Sequence, residues 1–181
     1  MQTWVALLRG INVGGNNIIP MKILTQIMTD AGYEGVQSYI QSGNVVFQHT
    51  EVSSNVLASE LSLLIQRHFD FQPKVMLLTA TEFNQILAQN PYKQAYSEPK
   101  QVHFFFVDEI PASPDLTKLQ QLKSPSETYE LQPQGLYLFA PEGIGRSKLV
   151  AKVDKCLGVS TTARNLNTLL KLKDILKLKT V

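Results

Sequence analysis

The chain has 181 residues, of which 44% are hydrophobic and only one is a cysteine, and its formal net charge is +2. This length and apolar content suffice for one sizeable core or two small cores, and a single cysteine excludes an internal disulfide. No stretch of 18 uninterrupted apolar residues exists, and no basic segment with a long apolar run opens the chain. We therefore expect a cytoplasmic globular protein with no membrane partner.

The first part of the chain predicts the element order β-α-β-β-α-β. In some segments the apolar residues form strand-like runs, and in others they recur at helical spacing. Ser42-Gly43 lies between two strand-like runs and is typical of a hairpin turn. The predicted elements are a strand at 3–9, a helix at 21–31, strands at 36–41 and 44–48, a helix capped by Ser53 or Ser54, and a strand at 74–78.

The remainder repeats this order after a short helix at 82–88 and a surface connection at 90–99. We predict a strand at 102–107, a helix at 115–122, a hairpin of strands at 127–131 and 136–139, a helix at 147–156, a short closing strand at 159–162 and a last helix at 164–179. The prediction is an α+β fold of two ferredoxin-like subdomains plus a C-terminal helix. Residues 1–80 form the first half, 81–100 the connection and 101–181 the second half with that helix.

Charge is unevenly distributed along the chain. From Arg146 onward there are nine basic and two acidic residues, a net charge of +7, whereas the preceding part carries −5. This end either attracts phosphates, nucleic acid or an acidic partner, or is the solvated outer face of ordinary helices. Base-stacking aromatic residues are absent from it, which favours the second interpretation.

The loop at residues 9–17, Arg-Gly-Ile-Asn-Val-Gly-Gly-Asn-Asn, follows the first strand. Glycine and asparagine tolerate positive φ, so successive backbone N–H groups can form a concave anion site. The candidate ligand residues in this loop are Arg9, Asn12, Gly14, Gly15 and Asn17. Because Ile11 and Val13 would anchor any such loop to the core, the pattern fits a structural connection equally well.

Two further stretches combine a cation with a predicted helix start. Gly143-Ile-Gly-Arg-Ser-Lys148 makes Arg146, Ser147 and Lys148 candidate phosphate ligands, although the spacing matches neither a Walker A loop nor a Rossmann turn. In Thr161-Thr-Ala-Arg-Asn165, either threonine could cap the helix, which leaves Arg164 and Asn165 in its first turn. A cation there requires an internal carboxylate or a bound anion. The alternative is a capped turn that carries Arg and Lys for the first stretch, and an internal salt bridge of Arg164 for the second.

No catalytic or metal-binding constellation is visible in the sequence. The three histidines, His49, His68 and His103, lack metal-ligand spacing, and Ser42 lacks the preceding glycine of a nucleophile elbow. Cys156 has no local activating motif and is expected to be a small buried residue. We therefore predict no metal and no cofactor, and the sequence favours a protein that is not an enzyme without excluding one.

Five motifs in chain order carry a family resemblance. They are Arg9–Gly15, Tyr39–Phe47, Asn90-Pro91, Gly145–Lys148, and Thr162–Asn165 with Thr168 and Lys171-Leu172. Together they resemble the bacterial domain-of-unknown-function family DUF1697, which implies a compact bacterial α+β protein of ferredoxin-like subdomains. The family has no established activity or catalytic residues. Ser42 and Asn44, within the second motif, are further candidate ligand residues. Asn16 and Leu166 stand where many relatives have lysine and tryptophan.

These observations support three functional hypotheses. The first is binding of a phosphate-bearing ligand, a nucleotide or nucleic acid, by loop amides and by arginines and lysines if the three basic motifs converge. The second is a structural or protein-interaction module whose partner the sequence does not identify. The third is an enzyme whose catalytic residues are distant in sequence and adjacent in space.

Overall fold

The computed structural model describes residues 1–179 and every side chain among them except that of residue 95. Residues 180 and 181, at the end of the predicted second half, lie outside the described residues. The chain divides into two compact units, one of Met1–Gln85 with Lys171–Val181 and the other of Ile86–Leu170. Within residues 1–179, no helix is both long enough and apolar enough to cross a lipid bilayer.

The first unit contains one four-stranded antiparallel sheet and two helices packed on it. Its elements are β1 (Gln2–Arg9), α1 (Met21–Asp30), β2 (Glu34–Tyr39), β3 (Asn44–His49), α2 (Ser54–Phe69) and β4 (Lys74–Thr79). The strand order is β2-β3-β1-β4, in which every neighbouring pair is antiparallel. This is the arrangement of a ferredoxin-like subdomain.

The side chains of β1 alternate between the two faces of the sheet, and those on one face belong to the core of this unit. Trp4, Ala6 and Leu8 lie on one face of the strand and are buried with apolar residues of both helices, among them Leu24, Met28, Leu57, Leu61 and Ile65. Successive side chains of a strand point to opposite faces, so one apolar run supplies this whole set. The helix α2 begins as predicted, because the Ser53 side chain accepts a hydrogen bond from the Val56 N–H.

A helix, α3 (Ala80–Ala88), and two 3₁₀ segments, Lys93–Ser97 and Pro99–Gln101, precede the second sheet. The second sheet and its helices consist of β5 (Val102–Val107), α4 (Leu116–Leu122), β6 (Thr128–Gln132), β7 (Gly135–Phe139), a 3₁₀ turn (Val150–Lys152), α5 (Val153–Leu157) and β8 (Thr161–Asn165). The last helix, α6 (Leu166–Lys177), follows directly, and its residues from Lys171 belong to the first unit.

The second sheet repeats the topology of the first, with strand order β6-β7-β5-β8 and only antiparallel neighbours. Phe105, Leu136 and Leu138 pack against α4 and α5, where Cys156 is buried as expected. The fold class predicted from the sequence is therefore confirmed: two ferredoxin-like subdomains with a C-terminal helix.

The predicted helix at 147–156 is wrong over its first half. Residues 148 and 149 form a turn, Val150–Lys152 is a 3₁₀ turn, and only Val153–Leu157 is α-helical. The Ser147 hydroxyl does accept a hydrogen bond from the Val150 N–H at 3.1 Å, so the predicted cap exists but closes the 3₁₀ turn. Because α5 has only five residues, little helix dipole is available to an anion near Arg146.

The short closing strand predicted at 159–162 exists as β8 (Thr161–Asn165), and the helix start predicted at 161–165 is wrong because these residues belong to that strand. The strand pairs with β5 in the register Phe104 to Arg164 and Phe106 to Thr162. Neither threonine caps a helix; instead the Asn165 Oδ1 accepts a hydrogen bond from the Thr168 N–H at 2.9 Å, in the first turn of α6. Arg164 therefore lies in the strand that precedes α6, one residue before the cap, and not in the first turn of the helix.

Candidate functional site

The second unit contains an open cleft of about 640 Å³, within the range of ligand pockets in proteins. We call it the polar cleft. Thirteen residues line it: Gln121, Leu122, Lys123, Ser124, Pro125, Ser126, Glu127, Glu142, Gly143, Gly145, Arg146, Ser147 and Lys148. Three of the predicted ligand residues, Arg146, Ser147 and Lys148, thus belong to one concave surface.

One wall of the polar cleft is the turn that follows β7. Gly143 has a φ of 80°, which favours glycine, and its N–H donates to the Ala140 carbonyl at 2.9 Å. A second hydrogen bond, from the Ser147 N–H to the Ile144 carbonyl at 3.1 Å, closes the turn. The side chains of Arg146 and Lys148 are exposed, and neither forms an ion pair within the described part of the chain. Two cations are thereby available to a ligand.

The other wall is the segment from Lys123 to Glu127, which joins α4 to β6. The Glu127 carboxylate accepts a hydrogen bond from the Ser124 N–H at 2.8 Å, and the Glu127 N–H donates to the Ser124 carbonyl at 3.1 Å. The Lys123 Nζ donates to the Glu127 carbonyl oxygen at 3.1 Å, and the hydroxyls of Ser124 and Ser126 lie 3.2 Å apart. These contacts hold the wall in one conformation.

Sequence reasoning missed this second wall entirely. A serine with a glutamate three residues later, as in Ser124 and Glu127, is the capping-box spacing, and this signal could have marked an ordered turn. Glu142 was missed as well, since nothing in its local sequence distinguishes it from a solvated carboxylate. Lys123, Arg146 and Lys148 outnumber the two carboxylates of the cleft, so its lining has a net positive charge.

The first loop, residues 9–17, lies in the first unit, and hydrogen bonds from its asparagine side chains stabilise its conformation. The Asn12 Nδ2 donates to the Ile19 carbonyl at 3.0 Å and the Gln41 carbonyl at 2.7 Å, while its Oδ1 accepts from the Ile19 N–H at 2.8 Å. Asn17 Nδ2 donates to the Gly10 carbonyl at 2.9 Å. Both asparagines have positive φ, 54° and 50°, as predicted for this loop. Their side chains therefore serve the loop itself.

Backbone groups at the tip of this loop remain available for a ligand. Gly14 and Gly15 are exposed and have φ values of 57° and 78°. Within residues 1–179, their N–H groups donate no hydrogen bond. Arg9, at the end of β1, lies opposite Lys74 of β4 in the register of the sheet and is only partly exposed. Binding of an anion by this loop stays a prediction.

The β2–β3 turn supports the first loop. Asn44 is fully buried, and its Nδ2 donates to the Tyr39 carbonyl at 3.0 Å and to the Ser42 hydroxyl at 2.9 Å. A Cβ on Gly43 would lie 2.8 Å from side-chain atoms of both Ile11 and Leu8, so only glycine fits there. This close approach explains why a glycine follows Ser42. The polar atoms of Ser42 and Asn44 face each other in the turn.

Arg164 and Asn165 do not line the polar cleft. The Arg164 Nη1 donates to the Ala163 carbonyl at 2.7 Å, and burial lowers the pKa of this guanidinium to about 10. Asn165 caps α6, as described above. Of the two basic motifs in the second unit, one therefore lines the cleft and the other does not. That the first loop forms one site with either of these two basic motifs stays a prediction.

No group of three or more His, Cys, Asp or Glu side chains among residues 1–179 could hold a metal ion. His103 is buried in β5, and its Nδ1 has no hydrogen-bond partner among residues 1–179. Burial lowers the pKa of His103 from its usual value of 6.5. These observations assign His103 to the core of the second unit.

Comparison with known proteins identifies the family but no activity. A conserved bacterial protein from Streptococcus pneumoniae, SP0830, is 27% identical in sequence and similar in structure, with a TM-score of 0.76 over 97% of this chain and 98% of that one. No curated protein matches the chain. The family model described as "Protein of unknown function (DUF1697)" matches residues 1–137, about three quarters of the sequence. The chain therefore belongs to the DUF1697 family.

Proposed function

We propose that this protein binds a phosphate-bearing ligand in the polar cleft. The observation that carries the proposal is the meeting of two walls on one concave surface, each of which brings cations and hydroxyl groups. One wall supplies Arg146, Ser147 and Lys148, and the other supplies Lys123 and Ser124. Because the family match ends at residue 137, the support for this function is the geometry of the cleft.

The chemistry of these groups suits an anion with several acceptor oxygens. An arginine presents a planar fork of donors that matches two phosphate oxygens, and lysine adds a mobile point charge. The N–H groups of Gly145 and Arg146 donate no hydrogen bond within the described residues, so they add backbone donors on the same wall. Each charge-assisted hydrogen bond contributes about 1.5–3 kcal/mol, so two or three of them would hold a phosphate group.

Titration calorimetry with inorganic phosphate and pyrophosphate tests this function. We expect Arg146→Ala and Lys148→Ala each to weaken binding about tenfold or more, since each removes one charge-assisted contact. Lys155→Ala is the matched control, because Lys155 is an exposed lysine on α5 outside the cleft lining. Equal binding by wild type and both cleft variants, or no binding of either anion, would refute the proposal.

The first loop is the second candidate for anion binding, because of the exposed N–H groups of Gly14 and Gly15. Glycine amides give separate signals in a ¹⁵N-resolved NMR spectrum, so both sites can be observed in one phosphate titration. We expect the amides of Gly143 and Gly145 to shift with phosphate. Shifts confined to Gly14 and Gly15 would assign the function to the first loop instead.

A further inference from the structure

We infer that the ligand of the polar cleft is a phosphorylated polyhydroxyl compound, such as a sugar phosphate, and this inference rests on the function proposed above. The sequence suggested a nucleotide or a nucleic acid as the phosphate-bearing ligand. The inference replaces these with a phosphate compound that has no nucleobase. Three properties of the lining carry it: the absence of aromatic groups, the two carboxylates among the cations, and the density of small polar groups.

The lining offers no aromatic surface for a nucleobase. All thirteen lining residues belong to the described part of the chain; none is aromatic, and the only bulky apolar ones are Leu122 and Pro125. Proteins that bind bases usually stack them on aromatic rings or on arginine guanidinium planes, and the one arginine of the lining, Arg146, is assigned here to the phosphate. Pockets for apolar ligands are likewise lined mainly by hydrophobic residues. The cleft therefore suits a small ligand that presents polar groups rather than an aromatic base.

The two carboxylates can accept hydrogen bonds from a ligand. Glu127 lines the cleft but is only 4% exposed, and the structure fixes its Oε2 through the Ser124 N–H. Glu142 is exposed and, within residues 1–179, pairs with no cation. A carboxylate repels phosphate, so these groups suit an uncharged donor on the same ligand. Hydroxyl groups are such donors, and carboxylates bind them with charge-assisted hydrogen bonds.

The remaining polar groups of the lining match a polyol in the same way. Ser124, Ser126 and Ser147 each carry a hydroxyl that can both donate and accept, and the Gln121 amide does both with separate atoms. A sugar also alternates donors and acceptors around its ring. Since three cations face two carboxylates, the lining has a net positive charge that attracts one phosphate group but lacks the run of positive charge that a nucleic acid requires.

The test compares inorganic phosphate with ribose 5-phosphate, glucose 6-phosphate, glycerol 3-phosphate and AMP by titration calorimetry. We expect at least one of the three polyol phosphates to bind about tenfold tighter than inorganic phosphate, the gain of one or two added hydrogen bonds. AMP, which carries the same sugar phosphate as ribose 5-phosphate, should bind no tighter than it, because its base has no aromatic stacking partner in the cleft.

Glu142→Gln separates the polyol contact from the phosphate contact. We expect this variant to weaken the best polyol phosphate about fivefold or more, while inorganic phosphate binds equally well or better because a negative charge is lost. A general loss of structure would instead weaken both probes together.

The failures of the inference and of the proposed function are distinguishable. If inorganic phosphate binds and the Arg146→Ala variant loses it, but no polyol phosphate binds better, only the inference is wrong. It is also wrong if AMP binds tighter than ribose 5-phosphate, or if Glu142→Gln weakens phosphate and polyol phosphate alike. If none of the probes binds, both the inference and the proposed function are wrong.

Discussion

Replacement of Asn12 by alanine tests how the first loop is held. The Asn12 side chain forms three hydrogen bonds to backbone groups, with donor–acceptor distances of 3.0, 2.7 and 2.8 Å. These bonds join the loop to its own end at Ile19 and to the β2–β3 turn at Gln41. The backbone of Asn12 also has a φ of 54°, a conformation that asparagine tolerates better than alanine.

The expected loss of stability follows from these contacts. Each intramolecular hydrogen bond contributes about 1 kcal/mol net, and alanine in the left-handed region costs about 1 kcal/mol more. We therefore expect Asn12→Ala to lower the free energy of unfolding by roughly 3–4 kcal/mol. For a chain of this length, that corresponds to a decrease in Tm of about 10 °C.

Urea and thermal unfolding followed by circular dichroism measure this difference. Asn16→Ala is the matched control, because Asn16 lies in the same loop, is exposed, and forms only a long side-chain hydrogen bond of 3.4 Å to the Gly14 carbonyl. The control should change the free energy of unfolding by less than about 0.5 kcal/mol. Equal stabilities for the two variants would refute the assignment of Asn12 as the residue that closes the loop.

Two further substitutions test the fold of each unit. The pKa of His103 is lowered by burial, so this residue stays neutral in the folded state while the unfolded chain gains a proton below pH 6.5. The free energy of unfolding should therefore decrease as the pH decreases from 6.5 toward the folded pKa. The His103→Leu variant should show a smaller decrease when urea midpoints are measured between pH 7.5 and 5.5. An unchanged pH dependence in this variant would contradict the interpretation. Ile40 is a β-branched residue with a φ of 51°, and its side chain is half exposed. Ile40→Asn should therefore raise the free energy of unfolding by about 1 kcal/mol, and a lower urea midpoint would show that the Ile40 contacts outweigh the backbone strain.

Local sequence patterns were sufficient for the order of the elements. The apolar run of β1 and the helical spacing of α2 are signals that a few neighbouring residues carry by themselves. The repeat of the β-α-β-β-α-β order then predicted two ferredoxin-like subdomains, because few topologies satisfy it. The positive φ of Asn12 and Asn17 was likewise a local property of a loop rich in glycine and asparagine.

Long-range contacts decided what the sequence predicted wrongly. Thr161 and Thr162 suit a helix cap and a strand equally well, since threonine is both a capping and a β-branched residue. Backbone hydrogen bonds to β5, more than 50 residues earlier in the chain, make them a strand. Arg164 therefore lies in a sheet, and its predicted place in the first turn of a helix was wrong.

The polar cleft likewise depends partly on local sequence patterns and partly on long-range contacts. The sequence alone identified Arg146, Ser147 and Lys148, because a glycine-rich turn with two cations is a local signal for anions. The opposite wall, Lys123 to Glu127, was missed because its residues form a site only beside the turn after β7. The composition of each segment determined which polar groups are available to a ligand. Only the packing of the second unit decided which of these groups lie together in the cleft, because proximity in space depends on contacts between residues far apart in the chain.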